Sequence, residues 1–236
     1  MTQQPADPFS HEVEAAVSTQ IMGNRRHGLV PEKEKSSDAQ FWDDRYGSQE
    51  QLFSGSPNGV LVTEVTDLPP GRALDLGCGE GGDALWLARH GWQVTAVDIS
   101  QVALRRAATS AGDRADRVAW TRADLTVTPP PADAFDLVSA QYFPLPRQSG
   151  HAALRGLLAA VAPGGTVLIA GHDLADIPPD HQLELDPRDF YQPAEIAELL
   201  DDAWTVLVNE TRARTAAAPP GTHHASDTVL RARRRH

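Results

Sequence analysis

The chain has 236 residues, of which 41% are hydrophobic and 22% charged, a composition typical of a globular protein with one sizeable α/β domain and an appendage. Its formal net charge of −11 disfavours a nucleic-acid partner, because the phosphates would repel the protein. The single cysteine, Cys78, excludes an internal disulfide, and no apolar run is long enough for a membrane span, so we expect no membrane partner.

The first 40 residues are polar and lack the pattern of a signal peptide, which predicts a weakly ordered extension on a cytoplasmic protein. Within this extension, residues 11–22 could form a short helix. Bulky apolar side chains begin at Phe41, and we predict one domain over residues 41–236. Its first helical pattern, around residues 60–68, is stopped by a Pro-Pro-Gly run.

From residue 73 onward, short apolar strands alternate with helices. Strands are predicted at 73–76, 94–97, 118–122, 135–140 and 166–170, and helices at 82–90, 101–111, about 150–161 and 193–200. Ser100 is a good N-cap for the second of these helices. Such alternation predicts an α/β fold with a doubly wound parallel sheet. The last two strands, 204–210 and 228–232, have no helix between them and must therefore be antiparallel.

The stretch D-L-G-C-G-E-G-G begins at Asp75, between the first predicted strand and the next helix, where ligands bind in open α/β sheets. Its glycines, Gly77, Gly79 and Gly81, allow ligand atoms to approach the backbone closely. The letters fit both the dinucleotide spacing G-x-G-x-x-G and the spacing D-x-G-x-G-x-G, which points to S-adenosylmethionine. Glycine spacing alone therefore leaves both ligands open.

Charge distinguishes the two ligands. A dinucleotide would place a pyrophosphate on this loop, beside Asp75, Glu80 and Asp83, which would repel it. S-adenosylmethionine instead brings an ammonium group that Asp75 can attract, by roughly 4 kcal/mol at about 4 Å and a near-surface dielectric, before desolvation is counted. The acids therefore favour S-adenosylmethionine over a nicotinamide or flavin dinucleotide.

Two further acids end the next two predicted strands. Asp98 can accept hydrogen bonds from both ribose hydroxyls, as it could for a dinucleotide. Asp124 can accept from the adenine amino group, while the Leu125 amide donates to the ring. With Asp75, these residues place three acids at the ends of three strands, a spacing that suits one nucleoside lying across the sheet.

These residues resemble class I S-adenosylmethionine-dependent methyltransferases. L-D-L-G-C-G-E-G-G is similar to their first motif, A-V-D-I-S to the second and R-A-D-L to the third, while F-D-L-V-S-A-Q-Y resembles strand four and D-T-V-L-R-A-R-R strand seven. The resemblance covers residues 41–236. It implies a Rossmann-like, doubly wound, seven-stranded sheet that is mostly parallel, with the last strand antiparallel.

The segment F-W-D-D-R-Y-G-S resembles the opening of small-molecule members, including the tellurite-resistance and thiopurine groups. By that resemblance, Trp42 and Tyr46 close over the cofactor; the alternative is simple docking of an N-terminal helix. The tetrapeptide [N/D/S]-P-P-[Y/F], which nucleic-acid amino-methyltransferases carry after strand four, is missing from S-A-Q-Y-F-P-L-P. Both observations favour a small-molecule methyl acceptor.

Methyl transfer from a sulfonium depends mainly on proximity and alignment, so the sequence need not show a strong catalytic signature. Gln141 and Tyr142 follow strand four and should border the methyl site. His172, after strand five, is a candidate general base, because an unperturbed pKa near 6.5 suits that task. His223 and His224 could contact substrate; a metal site formed by these three histidines is poorly supported, and we predict no metal.

The sequence thus predicts a methyltransferase that transfers a methyl group from S-adenosylmethionine to a small molecule. The alternatives are a non-catalytic sensor or partner subunit that binds S-adenosylmethionine, and, less favoured, a nicotinamide-dependent oxidoreductase. The oligomeric state is not readable from the chain. The predicted cofactor-binding residues are Asp75, Gly77, Gly79, Gly81, Asp98, Ile99, Asp124, Leu125, Gln141, Trp42 and Tyr46.

Overall fold

A computed structural model describes residues 38–177, 185–215 and 224–236, all within one unit, Ser36–His236. The predicted helix at 11–22 and nearly all of the predicted extension, residues 1–40, lie outside the described residues. The domain boundary at residue 41 therefore stays a prediction. No helix in the described ranges combines the length and the apolar character that crossing a membrane requires.

The predicted alternation of strands and helices is confirmed. The helices are α1 (Asp38–Gly47), α2 (Gly59–Val65), α3 (Gly82–Arg89), α4 (Gln101–Ser110), α5 (Ala152–Ala159) and α6 (Pro193–Leu199). The strands are β1 (Arg72–Leu76), β2 (Gln93–Asp98), β3 (Val118–Arg122), β4 (Phe135–Gln141), β5 (Val161–His172), β6 (Trp204–Ala213) and β7 (Ser226–Arg234). Strand β5 begins five residues before its prediction, because the chain stays extended through a Pro-Gly-Gly run.

The seven strands form one sheet in the order β3-β2-β1-β4-β5-β7-β6. The first five strands pair in parallel, whereas β7 runs antiparallel between β5 and β6. This arrangement confirms the predicted Rossmann-like sheet with an inserted antiparallel strand. In this arrangement the carboxyl ends of β1 to β5 and the start of β7 lie at one edge of the sheet, which is where ligands bind in open α/β sheets.

Side chains of successive strand residues enter the two faces of the sheet alternately. On one face, Ala73, Leu137 and Val229 pack with residues of α2 and α3. On the other face, Leu74 and Val138 pack with residues of α5 and α6. Both faces are buried and apolar, so a polar side chain on either face near the carboxyl edge needs a partner or a ligand.

Candidate active site

The glycine loop joins β1 to α3 at the carboxyl edge of the sheet. Gly77 and Gly79 have φ values of +66° and +53°, in the left-handed region that favours glycine. A Cβ at Gly77 would lie 2.6 Å from Phe143 Cδ2, and a Cβ at Gly79 would lie 2.8 Å from Tyr46 Oη. The loop therefore needs glycine for its backbone shape and for the aromatic residues packed on it. Gly81 also has a positive φ, of 86°.

Asp75 lies beneath this loop with only 2% of its surface exposed, and its Oδ2 atom has no hydrogen-bond partner in the described part of the chain. Burial raises the pKa of this carboxyl well above its usual value, and the nearby charges of Asp83 and Asp98 raise it further. A buried carboxylate oxygen without a donor fits a cationic ligand group. The site is therefore suited to an ammonium and unsuited to a pyrophosphate.

The structure corrects the interpretation of Glu80. Its carboxylate pairs with Arg106 Nη1 at 2.8 Å and accepts hydrogen bonds from the backbone N–H groups of Leu52 and Phe53. The charge of Glu80 is thus compensated, and the residue holds the segment after α1 against the loop. The charge argument against a dinucleotide depends on Asp75, together with the neighbouring Asp83, which accepts from Asn58 Nδ2 at 2.8 Å.

Asp98 lies at the end of β2 and braces the glycine loop. Its Oδ2 accepts from the backbone N–H of Gly79, and its Oδ1 accepts from that of Ser100, both at 2.8 Å. Burial raises the pKa of Asp98, although these hydrogen bonds favour its charged form. Each oxygen retains acceptor capacity, so the carboxylate can hold the loop and two ligand hydroxyls together. The carbonyl of the next residue, Ile99, accepts from Arg122 Nε.

Asp124 lies beyond the end of β3, in the same row of strand ends. Its Oδ1 accepts from the backbone N–H and the hydroxyl of Thr126, which closes the local turn. The neighbouring Leu125 is half-buried and lines a small apolar cleft with Leu76 and Phe143. The structure thus brings an acid and an apolar surface together at the third strand end.

Helix α1 packs on the loop through Tyr46, and the closing of Trp42 and Tyr46 over the cofactor stays a prediction. Tyr46 is buried against Gly79, and the half-buried ring of Trp42 lies 6.2 Å from that of Tyr46, measured between centroids. Asp43, which the sequence reasoning missed, accepts from Ser100 Oγ at 2.6 Å and from the Val102 N–H. These bonds attach α1 to the start of α4, where Ser100 also accepts from the backbone N–H of Ala103, as its predicted capping role requires.

Gln141 and Tyr142 stand where β4 ends. Gln141 is buried and donates from Nε2 to Ser139 Oγ, while its Oε1 has no hydrogen-bond partner within the described ranges. Tyr142 has a φ of +54°, which is strained for a non-glycine residue, and its N–H donates to the carbonyl of Ala170. Strain of this kind is concentrated at functional sites in proteins.

His172 ends β5 in a stack of rings. Its imidazole lies 4.4 Å from the ring of Tyr142 and 3.7 Å from that of His224, measured between centroids. Burial lowers the pKa of His172 to about 3, helped by His224 and Arg214. A group with that pKa is a poor proton acceptor near pH 7, which argues against the predicted general base. The predicted contact at His223 lies outside the described residues.

Arg214 and Asp227 complete this edge, and the sequence reasoning missed both. Arg214 Nη1 lies 3.0 Å from Asp227 Oδ1, and that oxygen also accepts from the Tyr142 hydroxyl at 2.8 Å. The only sequence signal for either residue was the D-T-V-L run near the start of β7, which begins at Asp227. Within the described ranges, no group of three histidine, cysteine or acidic residues has a geometry that could hold a metal ion.

The segment that carries the glycine loop is similar to a known protein domain. Residues 73–165 match the methyltransferase-domain family. The match includes Asp75, Asp98, Asp124 and Gln141. It does not include His172, the helices α1 and α2 before the glycine loop, or the elements after β5. The predicted enzyme class is confirmed at the level of this domain.

Two curated methyltransferases and one solved methyltransferase structure illustrate the similarity. Trans-aconitate 2-methyltransferase of Rhizobium meliloti is 38% identical over 125 residues, which cover 50% of this chain and 45% of that protein. The ubiquinone biosynthesis O-methyltransferase of Xanthomonas euvesicatoria is 28% identical over 182 residues, covering 70% and 75%. The N-methyltransferase NodS of Bradyrhizobium japonicum, in complex with S-adenosylhomocysteine, has the same fold (TM-score 0.57, 19% identity, 74% and 83% covered).

The chain spans about half the length of several curated methyltransferases that it matches. The family match covers the glycine loop and the acids at the ends of β1, β2 and β3. The end of β5 and the whole of β6 and β7 lie beyond the matched domain.

Proposed function

We propose that the protein transfers a methyl group from S-adenosylmethionine to a small-molecule acceptor. The observation that carries this proposal is Asp75, a buried carboxylate with a partnerless oxygen beneath a glycine loop of the methyltransferase domain. An ammonium in that position completes the hydrogen bonding of Oδ2 and offsets its buried charge. A nicotinamide dinucleotide would put negative charge there instead.

The remaining cofactor contacts follow from the order of the strands. Asp98 holds the ribose hydroxyls, and Asp124 and Leu125 border the adenine, because β2 and β3 lie successively outward from β1. Tyr46 covers the loop, and Gln141 borders the methyl site from β4. When bound, S-adenosylmethionine supplies an electrophilic methyl carbon, which a lone pair of the acceptor takes while the electron pair of the carbon–sulfur bond stays on sulfur.

The protein's own contribution to this reaction is alignment and exclusion of water. Aromatic rings from α1 and from the ends of β4 and β5 surround the site, and the acceptor must approach along the line of the breaking bond. With its low pKa, His172 is suited to hydrogen bonding and to stacking rather than to removing a proton near pH 7. An acceptor that is already deprotonated, or that loses its proton to water, needs no protein base.

A small acceptor is favoured by three observations. The protein is acidic, the base-gripping tetrapeptide is absent after β4, and relatives are named for trans-aconitate, a hydroxyquinolone and ubiquinone biosynthesis. The finer resemblance to the tellurite-resistance and thiopurine groups rests on F-W-D-D-R-Y-G-S alone and stays a prediction. A cytoplasmic location also stays a prediction.

Calorimetric titration of the full chain with S-adenosylmethionine, S-adenosylhomocysteine and NAD tests the cofactor. We expect both adenosyl ligands to bind and NAD not to bind. Asp98→Ala should weaken S-adenosylhomocysteine at least about tenfold, since it removes a charged hydrogen-bond acceptor, whereas Asp67→Ala, at an exposed site, should not. Binding of NAD alone would refute the proposal.

Methyl transfer is then followed by mass spectrometry with S-adenosylmethionine and a panel of acceptors that includes trans-aconitate and hydroxyquinolones. The expected result is a product heavier by one methylene unit, formed together with S-adenosylhomocysteine. Tight cofactor binding without turnover on any acceptor would favour the sensor or partner-subunit alternative.

A further inference from the structure

A row of polar side chains crosses the carboxyl edge of the sheet and extends beyond the matched methyltransferase domain at His172, Arg214 and Asp227. Asp75, Gln141, His172 and Asp227 come from β1, β4, β5 and β7, and strand alternation places them on the same face as the apolar core of α2 and α3. Arg214 follows β6 and extends the row. Polar groups in such a core need partners, from the protein or from a ligand.

Arg214 is held at the far end of this row by three groups. Its Nη1 pairs with Asp227, and its guanidinium carbon lies 5.2 Å from the centre of the Tyr142 ring. His172 Nδ1 lies 3.5 Å from the same Nη1. Only 12% of the Arg214 side chain and 5% of the Asp227 side chain are exposed. The guanidinium is therefore buried in a defined orientation.

The ion pair does not use all the donors of Arg214. The Nε atom is buried and has no hydrogen-bond partner among the described residues. A guanidinium offers five N–H donors in a planar fork and stays charged at any physiological pH. An unsatisfied buried donor is costly, and an oxygen of a ligand or of a water molecule can complete it.

Neighbouring groups define the charge that this oxygen carries. His172 is neutral near pH 7, because burial lowers its pKa to about 3, so it adds no positive charge. Asp227 is already engaged by the Tyr142 hydroxyl and by Arg214. Among the described side chains in contact with those of Tyr142, His172 and Asp227, Arg214 is the one that carries a positive charge. Asp227 already offsets the charge of Arg214, so a phosphate dianion would add two uncompensated negative charges, whereas a carboxylate adds one and can accept from the Nε–H donor.

We propose that Arg214 binds a carboxylate group of the methyl acceptor, so that the enzyme acts on small carboxylic acids. This proposal rests on the proposed function, since it places the acceptor between Gln141 and Arg214. The strand order supports this position: the adenosine side spans β3, β2 and β1, whereas Arg214 follows β6, beyond β4, β5 and β7. Arg214 is thus a specificity-determining residue for the acceptor.

The test measures binding of benzoate and of its uncharged isostere benzamide to the full chain saturated with S-adenosylhomocysteine, by saturation-transfer NMR titration. Benzoate should bind in the millimolar range and benzamide at least about tenfold more weakly. Arg214→Gln should weaken benzoate at least about tenfold and leave benzamide unchanged. The matched control is Arg72→Gln, an exposed arginine at the opposite edge of the sheet, which should bind benzoate as the wild type does.

Because Arg214→Gln leaves Asp227 buried without its cation, that variant can fail to fold. The double variant Arg214→Gln/Asp227→Asn removes both charges together, and it should fold, bind S-adenosylhomocysteine and lose the preference for benzoate over benzamide. Retention of that preference in either folded variant would overturn the proposal, as would absence of benzoate binding to the wild type at about 20 mM. Failure of the wild type to bind S-adenosylhomocysteine would instead overturn the proposed function.

Discussion

The low pKa of His172 makes a quantitative prediction about acid stability. In the unfolded chain a histidine has a pKa near 6.5, whereas in the fold burial lowers it to about 3. Between these values the unfolded state binds a proton that the native state does not, so stability falls as the pH falls. The contribution is complete above pH 6.5 and is lost toward pH 3, at about 1.4 kcal/mol per pH unit.

At pH 5 the solution is about 1.5 pH units below the pKa of the unfolded histidine. Lowering the pH from 7 to 5 should therefore reduce the free energy of unfolding by about 2 kcal/mol through His172. Urea denaturation of the wild type and of His172→Gln at both pH values measures this as a difference of differences, in which other titrating groups cancel. His236→Gln, at the exposed end of the chain, is the control and should behave as the wild type does. Equal losses in wild type and His172→Gln would refute the buried, neutral imidazole.

Three further predictions concern the cofactor side. Gly79→Ala should reduce the free energy of unfolding or of S-adenosylhomocysteine binding by about 1–3 kcal/mol, because the residue has a positive φ and its new Cβ would meet the Tyr46 hydroxyl. Gly47→Ala is the control: no atom lies within 4 Å of its Cβ, so the same denaturation and binding measurements should give wild-type values. Wild-type affinity for S-adenosylmethionine should fall on acidification, since the raised pKa of Asp75 lets it protonate and lose its attraction for an ammonium; calorimetry from pH 8 to pH 5 checks this, and an identical profile in Asp75→Asn would contradict it. Ser100→Ala should cost about 1–2 kcal/mol in thermal unfolding by removing an N-cap, while Ser110→Ala, at the other end of the same helix, should cost less.

The fold was predictable because its signals are local. The alternation of short apolar strands with helices, and the missing helix before the last strand, are patterns within about ten residues, and they led to the correct sheet. The glycine loop was equally local, since Gly77 and Gly79 are required by the backbone shape of one turn. The start of β5 was misplaced because Pro and Gly usually end a strand. Here the strand begins before the Pro-Gly-Gly run, at Val161, which pairs with Phe135 of β4.

The local sequence was enough to predict a strand, a glycine turn and the acids at three strand ends, which meet because parallel strands end at one edge. Tertiary structure alone decided which charges are available to a ligand. Glu80 is neutralised by Arg106, 26 residues away, and Arg214 is joined to His172 across 42 residues and to Asp227 across 13. Such pairs depend on which strands become neighbours and on how deeply they are buried, and burial is what makes a charge costly and an unused donor informative.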